Sequence, residues 1–236
     1  MFSGGKDSTF ALWYAMHQAY DVVSLLTVFP ERSDSWMFHR PGIEWTGLQA
    51  RALGIPIVTA QTSGAKEEEL GMLRESLSEL MASHGIRCVV TGAIASEYQK
   101  SRIDRICDDL GIRSLAPLWR IDPLRLLTDQ IRMGFQFIIT ACMAMGLDRN
   151  WLGRAIDSKA LEELEAIAGR YGINLAFEGG EAETFVTDAP IFMKKVRIVD
   201  SEPVWKGDSG HLSIIHAELA EKRSQTERRS GQVVLL

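Results

Sequence analysis

A pair of glycines running straight into a helix constrains this chain more than any other stretch. Ser3-Gly4-Gly5-Lys6-Asp7-Ser8 is followed by Thr9-Phe10-Ala11-Leu12-Trp13-Tyr14-Ala15-Met16, which reads as helix. Glycine lets the backbone turn tightly and brings its N–H groups close to a ligand, with no Cβ in the way. The loop therefore opens at a helix N-terminus, where unpaired N–H groups and the positive end of the helix dipole attract phosphate. Lys6 adds a full positive charge and Ser8 a hydroxyl donor. The stretch is not a G-x-x-x-x-G-K-[ST] loop, because Asp7 follows Lys6 and no glycine stands five positions before it. In a doubly wound nucleotide fold such a loop follows the first strand. Only Met1 and Phe2 precede it here, so the sequence predicts a first strand that is truncated or nearly absent.

Beyond that helix the pattern alternates. Asp21 to Phe29 is a continuous apolar run of strand length, the texture of a strand buried on both faces of a parallel sheet. Trp45 to Leu53 reads as helix ending at Gly54, Ile55 to Thr59 as a short strand, and Lys66 to Ser83 as an amphipathic helix closed by Gly85. Ile86 to Thr91 is the next strand, Ser96 to Leu110 the next helix, and Ser114 to Trp119 another short strand. This order predicts an α/β fold, a doubly wound and mostly parallel sheet with right-handed crossovers.

From Asp122-Pro123, which looks like a helix start, the texture changes. A helix to Met133, a strand over Phe135 to Thr140 and an amphipathic helix over Asp157 to Tyr171 lead into strands and turns. Ile191 to Val204 and Leu212 to Leu219 are expected to pair across Lys206-Gly207-Asp208-Ser209-Gly210. The sequence is divided accordingly: a nucleotide-binding part over 1–134, a smaller α+β part over 135–220, and a charged, flexible tail over 221–236.

Composition sets bounds on partners. A net charge of −5 argues against a large nucleic-acid footprint, which normally needs a basic excess. Cys88, Cys107 and Cys142 are three lone cysteines with no C-x-x-C pair, which fits a reducing compartment and gives no zinc site. With no signal peptide and no apolar run long enough for a bilayer, the expectation is a cytoplasmic protein with no membrane partner. Its oligomeric state is open, a homo-oligomer included.

Strand ends locate the ligand crevice of such sheets. The backbone at Thr27 and Val28 is placed to meet an adenine edge, and Gly92 to let a nucleotide approach closely. Ser35-Trp36-Met37-Phe38-His39 is an aromatic loop that can cover base or ribose, with His39 a candidate ligand contact. Tyr98 and Arg102 are four apart on one helix face, and a guanidinium there can steady charge on an α-phosphate. Glu178, Glu181, Glu183 and Asp188 crowd four carboxylates around Gly179 and Gly180, and such groups repel unless a cation or donor-rich ligand relieves them.

Ser3 to Ser8 matches the SGGxDS loop of the ATP pyrophosphatase (PP-loop) superfamily. The wider set of SGGKDS at 3–8, WMFH at 36–39, TGAIASEYQKSRID at 91–104, LAPLW at 115–119, WLGRAID at 151–157 and EGGEAETFVTDAPIF at 178–192 resembles the diphthine–ammonia ligases. The resemblance runs from residue 3 to about 200 and departs at Phe177 and Ala182, where the family has a glycine and a tyrosine. It implies amidation of diphthine, a modified histidine of translation elongation factor 2, with ATP, ammonium and Mg²⁺. It implies ATP binding by Ser3, Gly4, Gly5, Lys6, Asp7 and Ser8, with Lys6, Ser8 and Arg102 as catalytic groups. It assigns the acceptor to Tyr98, Gln99, Glu178, Gly179, Gly180, Glu181, Glu183, Thr184 and Asp188. The residues alone leave two other readings open: a PP-loop ligase for a small carboxylate, and a nucleotide-binding regulatory protein without catalysis.

Overall fold

The computed structural model describes residues 1–30, 42–62 and 66–222. His39 with its aromatic neighbours, and all of the tail beyond Lys222, lie outside the described residues.

The first half is the expected α/β arrangement. Strands β1 (Leu25–Pro30) and β2 (Ile57–Thr62) pair in parallel, as do β3 (Cys88–Val90) and β4 (Arg113–Leu115). Helices α1 (Lys6–His17), α2 (Thr46–Leu53), α3 (Lys66–His84) and α4 (Glu97–Leu110) connect and cover them. The sheet is split into two pairs because residues 1 and 2 stand where a central strand would run. Phe2 N–H donates to the Leu26 carbonyl at 2.8 Å, and the Met1 amino group to the Val90 carbonyl at 2.6 Å. Thr27 Oγ1 donates to the Phe2 carbonyl at 2.6 Å, so a two-residue stub bridges both strand pairs.

Local chemistry accounts for the element ends. Ser96 caps α4 by accepting from Gln99 N–H at 3.3 Å, and Gly111 closes it at a φ of 68°. Asp122 caps α5 (Pro123–Arg132), and Asp157 caps α6 (Ser158–Tyr171). The α3 stripe Leu73, Leu77 and Leu80 is buried against β2 and α4, each leucine stabilising by about 1.5–3 kcal/mol. Two expected strands are shorter than their apolar runs: β1 begins at Leu25, and β4 ends at Leu115, after which the chain turns through Arg120 at a φ of 58°.

The second half is an antiparallel sheet in the order β6-β5-β8-β7, from β5 (Gln136–Cys142), β6 (Ala182–Asp188), β7 (Lys195–Lys206) and β8 (Ser209–Ala220). The hairpin β7–β8 turns at Gly207-Asp208, within the predicted stretch. One hydrophobic core runs through both halves, joining Phe2, Phe10 and Leu48 to Phe137, Ile139, Trp151 and Phe185. A second cluster lies under α3 and α4, around Leu77, Val89 and Ile106. Among the described residues no helix is long and apolar enough to cross a membrane.

Candidate active site

The loop at residues 3–8 is built as a cradle. Gly4 has a φ of 76°, in the left-handed region that favours glycine. Ser8 Oγ donates to the Gly5 carbonyl at 3.1 Å, accepts from Ser3 N–H at 3.2 Å and sits 3.1 Å from Ser3 Oγ. A Cβ on Gly92 would stand 2.6 Å from Ser8 N, so the missing side chain is what lets β3 approach the first turn of α1.

Chain distance puts 176–186 far from this loop, yet the fold lays them directly on it. Lys6 N–H donates to Thr184 Oγ1 at 3.1 Å, and Val186 N–H to the Gly4 carbonyl at 3.0 Å. Gln49 of α2, fully buried, donates to the Gly4 carbonyl at 2.9 Å and to the Val186 carbonyl at 2.8 Å. The Lys6 side chain is only 2% exposed. Its Nζ donates to Asp7 Oδ2 at 2.6 Å and to the Ala176 carbonyl at 2.7 Å. Asp7 Oδ1 in turn accepts from Gln130 of α5 at 3.0 Å.

Three of the four acidic residues have separate partners. Glu178 Oε2 accepts from Ala95 N–H at 3.3 Å, bringing the turn ahead of α4 to the acidic loop. Burial pushes the Glu178 carboxyl above its ordinary range, partly offset by that N–H, with the Asp7 charge adding to the rise and Lys6 opposing it. Glu181 accepts from Asn174 N–H at 2.9 Å and Gly179 N–H at 2.8 Å, and so shapes its own loop. Glu183 is half-buried in β6, paired with Ala141. Asp188 is at the far end of β6, four residues past Thr184 and roughly 13 Å along the strand. There it accepts from Lys222 Nζ at 2.7 Å and from Ala189 N–H at 2.8 Å. The structure sets Asp188 apart from Thr184 and the loop at residues 3–8.

The remaining sequence candidates divide. Thr27 spends its hydroxyl on the Phe2 carbonyl, while Val28 is half-buried beside it in β1. Gly180, at a φ of 81°, makes the acidic turn. Tyr98 and Gln99 are exposed on the first turn of α4, and the Arg102 guanidinium stacks 3.3 Å from the Tyr98 ring centre with a buried Nη1 that has no hydrogen-bond partner. Sequence reasoning missed Gln49 and Gln130. Their one signal is a glutamine on an otherwise apolar helix face, between Leu48 and Ala50 and after Leu126-Leu127.

Comparison with known proteins identifies the family. The chain is 32% identical to the diphthine–ammonia ligase of Danio rerio, across 91% of both proteins. The chain belongs to the diphthine–ammonia ligase family. The family models for the diphthamide synthase N-terminal and C-terminal domains match residues 1–114 and 122–220. A Schizosaccharomyces pombe diphthine–ammonia ligase is 30% identical over 94% of this chain, which spans 39% of that longer relative. Among solved structures, the chain has 16% identity and a TM-score of 0.39 to a predicted subunit of tRNA methyltransferase from Methanocaldococcus jannaschii, over 80% of this chain and 95% of that one.

Both departures from the family pattern have a place in the fold. Phe177 adopts a φ of 63°, a conformation in which the family's glycine costs nothing, and its ring is buried 5.2 Å from Lys6 Nζ. Ala182 is 4% exposed, opposite Cys142 in the sheet, so its side chain faces the core rather than an acceptor. The Cys142 and Cys107 thiols are pushed up to about 12 and about 11 by burial, which keeps them protonated and poorly nucleophilic.

Proposed function

We propose that this chain is itself a diphthine–ammonia ligase: it joins ammonia to the diphthine carboxylate of translation elongation factor 2, consuming ATP and releasing AMP and pyrophosphate. The observation that carries the reading is the contact of Lys6 and Gly4 with Ala176, Thr184 and Val186. These hydrogen bonds hold the loop at residues 3–8 against the residues that flank the acidic turn, which supports a reading in which a nucleotide on the first half meets an acceptor on the second.

In this reading the first turn of α1 and Lys6 hold the β- and γ-phosphates, and the diphthine carboxylate attacks the α-phosphorus. The acyl-adenylate forms as pyrophosphate leaves, and ammonia displaces AMP to give the amide. Positioning and electrostatics suffice, with no side-chain nucleophile. Arg102 contributes charge at the α-phosphate. Tyr98, Gln99 and Glu178 border the acceptor, with Glu181, Gly179 and Gly180 shaping that border. Mg²⁺ fits as the companion of the nucleotide, since it binds chiefly through phosphate oxygens, water and few carboxylates. Among the described residues no three His, Cys, Asp or Glu converge on a metal position.

The test supplies ATP, ammonium and purified elongation factor 2 carrying diphthine, then separates nucleotides and weighs the modified peptide. AMP, pyrophosphate and carboxyl-to-amide conversion are expected. ADP with free phosphate overturns the bond assignment. AMP formed on a small carboxylate without the factor makes the enzyme a ligase of another substrate class. Nucleotide binding with no AMP from any acceptor makes it a binding protein.

A further inference from the structure

The Lys6 ammonium already has everything a buried cation needs. Its partners are a carboxylate oxygen of Asp7 at 2.6 Å, the Ala176 carbonyl at 2.7 Å and the Phe177 ring, whose centre is 5.2 Å away. A carboxylate, a carbonyl and a π face are acceptors for an ammonium group and competitors for none of its protons. Gln130 holds Asp7 from the other side; it is fully buried, and its own Oε1 has no hydrogen-bond partner. Glu178, two residues beyond Ala176, is close enough to feel the charges of both Asp7 and Lys6. Lys6 is paired with Asp7, and its charge also reaches Glu178.

The function proposed above requires Lys6 to turn from these partners toward phosphate oxygens, and the present inference rests on that reading. Once the lysine head leaves, its seat keeps the Asp7 oxygen, the Ala176 carbonyl and the Phe177 ring, with an unused amide oxygen on the glutamine behind. Buried acceptors and anions without a cation are unfavourable. We propose that this vacated seat is where the nucleotide-loaded enzyme binds free ammonium, the nitrogen donor of the reaction. Lys6 is then the tethered form of the same ligand. Ammonium binds after ATP, because ATP is what draws the lysine away.

Lys6→Ala empties the seat without nucleotide. Its Tm, measured in ammonium chloride against sodium chloride at equal ionic strength, is expected to rise by about 3–5 °C with ammonium while the wild type does not respond. Rescue by butylammonium but not by ammonium, or an equal effect of sodium, overturns the proposal. Should the variant fail to fold, calorimetry on wild type decides: ammonium must bind when a non-hydrolysable ATP analogue is present and not otherwise. Phe177→Leu keeps the bulk and the backbone demand but removes the π face. It is expected to raise the ammonium KM about threefold or more without raising the ATP KM, since the resting lysine loses the same contact that ATP must break. Diphthine-dependent ATP–pyrophosphate exchange needs no ammonia and reports the ligase reading separately. Exchange with an unmoved ammonium KM sinks the seat alone, whereas no exchange in wild type sinks the ligase reading and the seat with it.

Discussion

Phe177 shows how one residue carries two opposed terms. A non-glycine residue at a φ of 63° costs about 1–2 kcal/mol, while a buried phenylalanine returns more than that through packing. The departure from the family's glycine was legible in the sequence; its backbone conformation and its place beside Lys6 were not, because both depend on where the second half folds back. The next residue yields a pH test. Burial raises the Glu178 carboxyl pKa, so the folded state holds that proton more tightly than the unfolded chain does. A raised carboxyl pKa means stability is lost as pH climbs from the ordinary glutamate value through the raised one, and none of that loss is felt below the ordinary value. Glu178→Gln removes the ionisation. The variant is therefore expected to be more stable than wild type at neutral pH, with a larger free energy of unfolding, and the gap should close on acidification to the ordinary glutamate value and below. Urea titrations across that range measure it, and a gap that widens toward acid refutes the buried-carboxylate account.

At the scale of elements, the helix ends were readable because their chemistry is local. Ser96, Asp122 with Pro123, and Asp157 start helices, and Gly54 and Gly111 stop them, within a residue or so of expectation. The tie between α2 and the loop at residues 3–8 was not readable. An isolated glutamine in a helix gives no sign that its amide will span the Gly4 and Val186 carbonyls, residues 45 and 137 positions away. That tie predicts a coupling. A Cβ on Gly4 would stand 2.2 Å from Gln49 Oε1, and Gly4 has a φ of 76°. Gly4→Ala should therefore destabilise both by backbone strain, about 1–2 kcal/mol, and by displacing the glutamine. Gln49→Ala alone leaves the buried Val186 carbonyl without its side-chain donor, at about 1–3 kcal/mol. In the double variant the clash is gone, so the two losses should fall short of additivity by about 0.5–3 kcal/mol, as for residues in direct contact. Strict additivity in a double-mutant cycle of urea unfolding would show that the loop and α2 do not touch in this way.

The molecule as a whole folds around contacts that cross the division suggested by its sequence. The change of texture near Asp122 is real in the chain, with parallel pairs before it and an antiparallel sheet after it. In space the halves interlock. Phe10 of α1 packs edge-on to Phe135 at 5.1 Å between ring centres, and the Trp13 ring lies 6.3 Å from the same phenylalanine. Met193 N–H donates to the Ala52 carbonyl at 2.7 Å, and the Trp45 indole N–H to the Ile214 carbonyl at 3.3 Å. The larger core takes side chains from both halves, so neither can bury its apolar surface without the other. Such shared burial couples the two unfolding equilibria, because opening one half exposes the core face of its neighbour. Unfolding in urea should accordingly give one transition, with far-UV circular dichroism and tryptophan fluorescence coincident within error. A Phe135→Ala variant is the sharper probe. Removing a ring from this seam should lower the midpoint by the equivalent of about 3–5 kcal/mol, and because the seam is what holds the halves to one another, loss of coincidence between the two probes should appear there first. Two separated transitions already present in the wild type would mean that the halves are independent folding units and that the contacts of the 3–8 loop with Ala176, Thr184 and Val186 break without unfolding either.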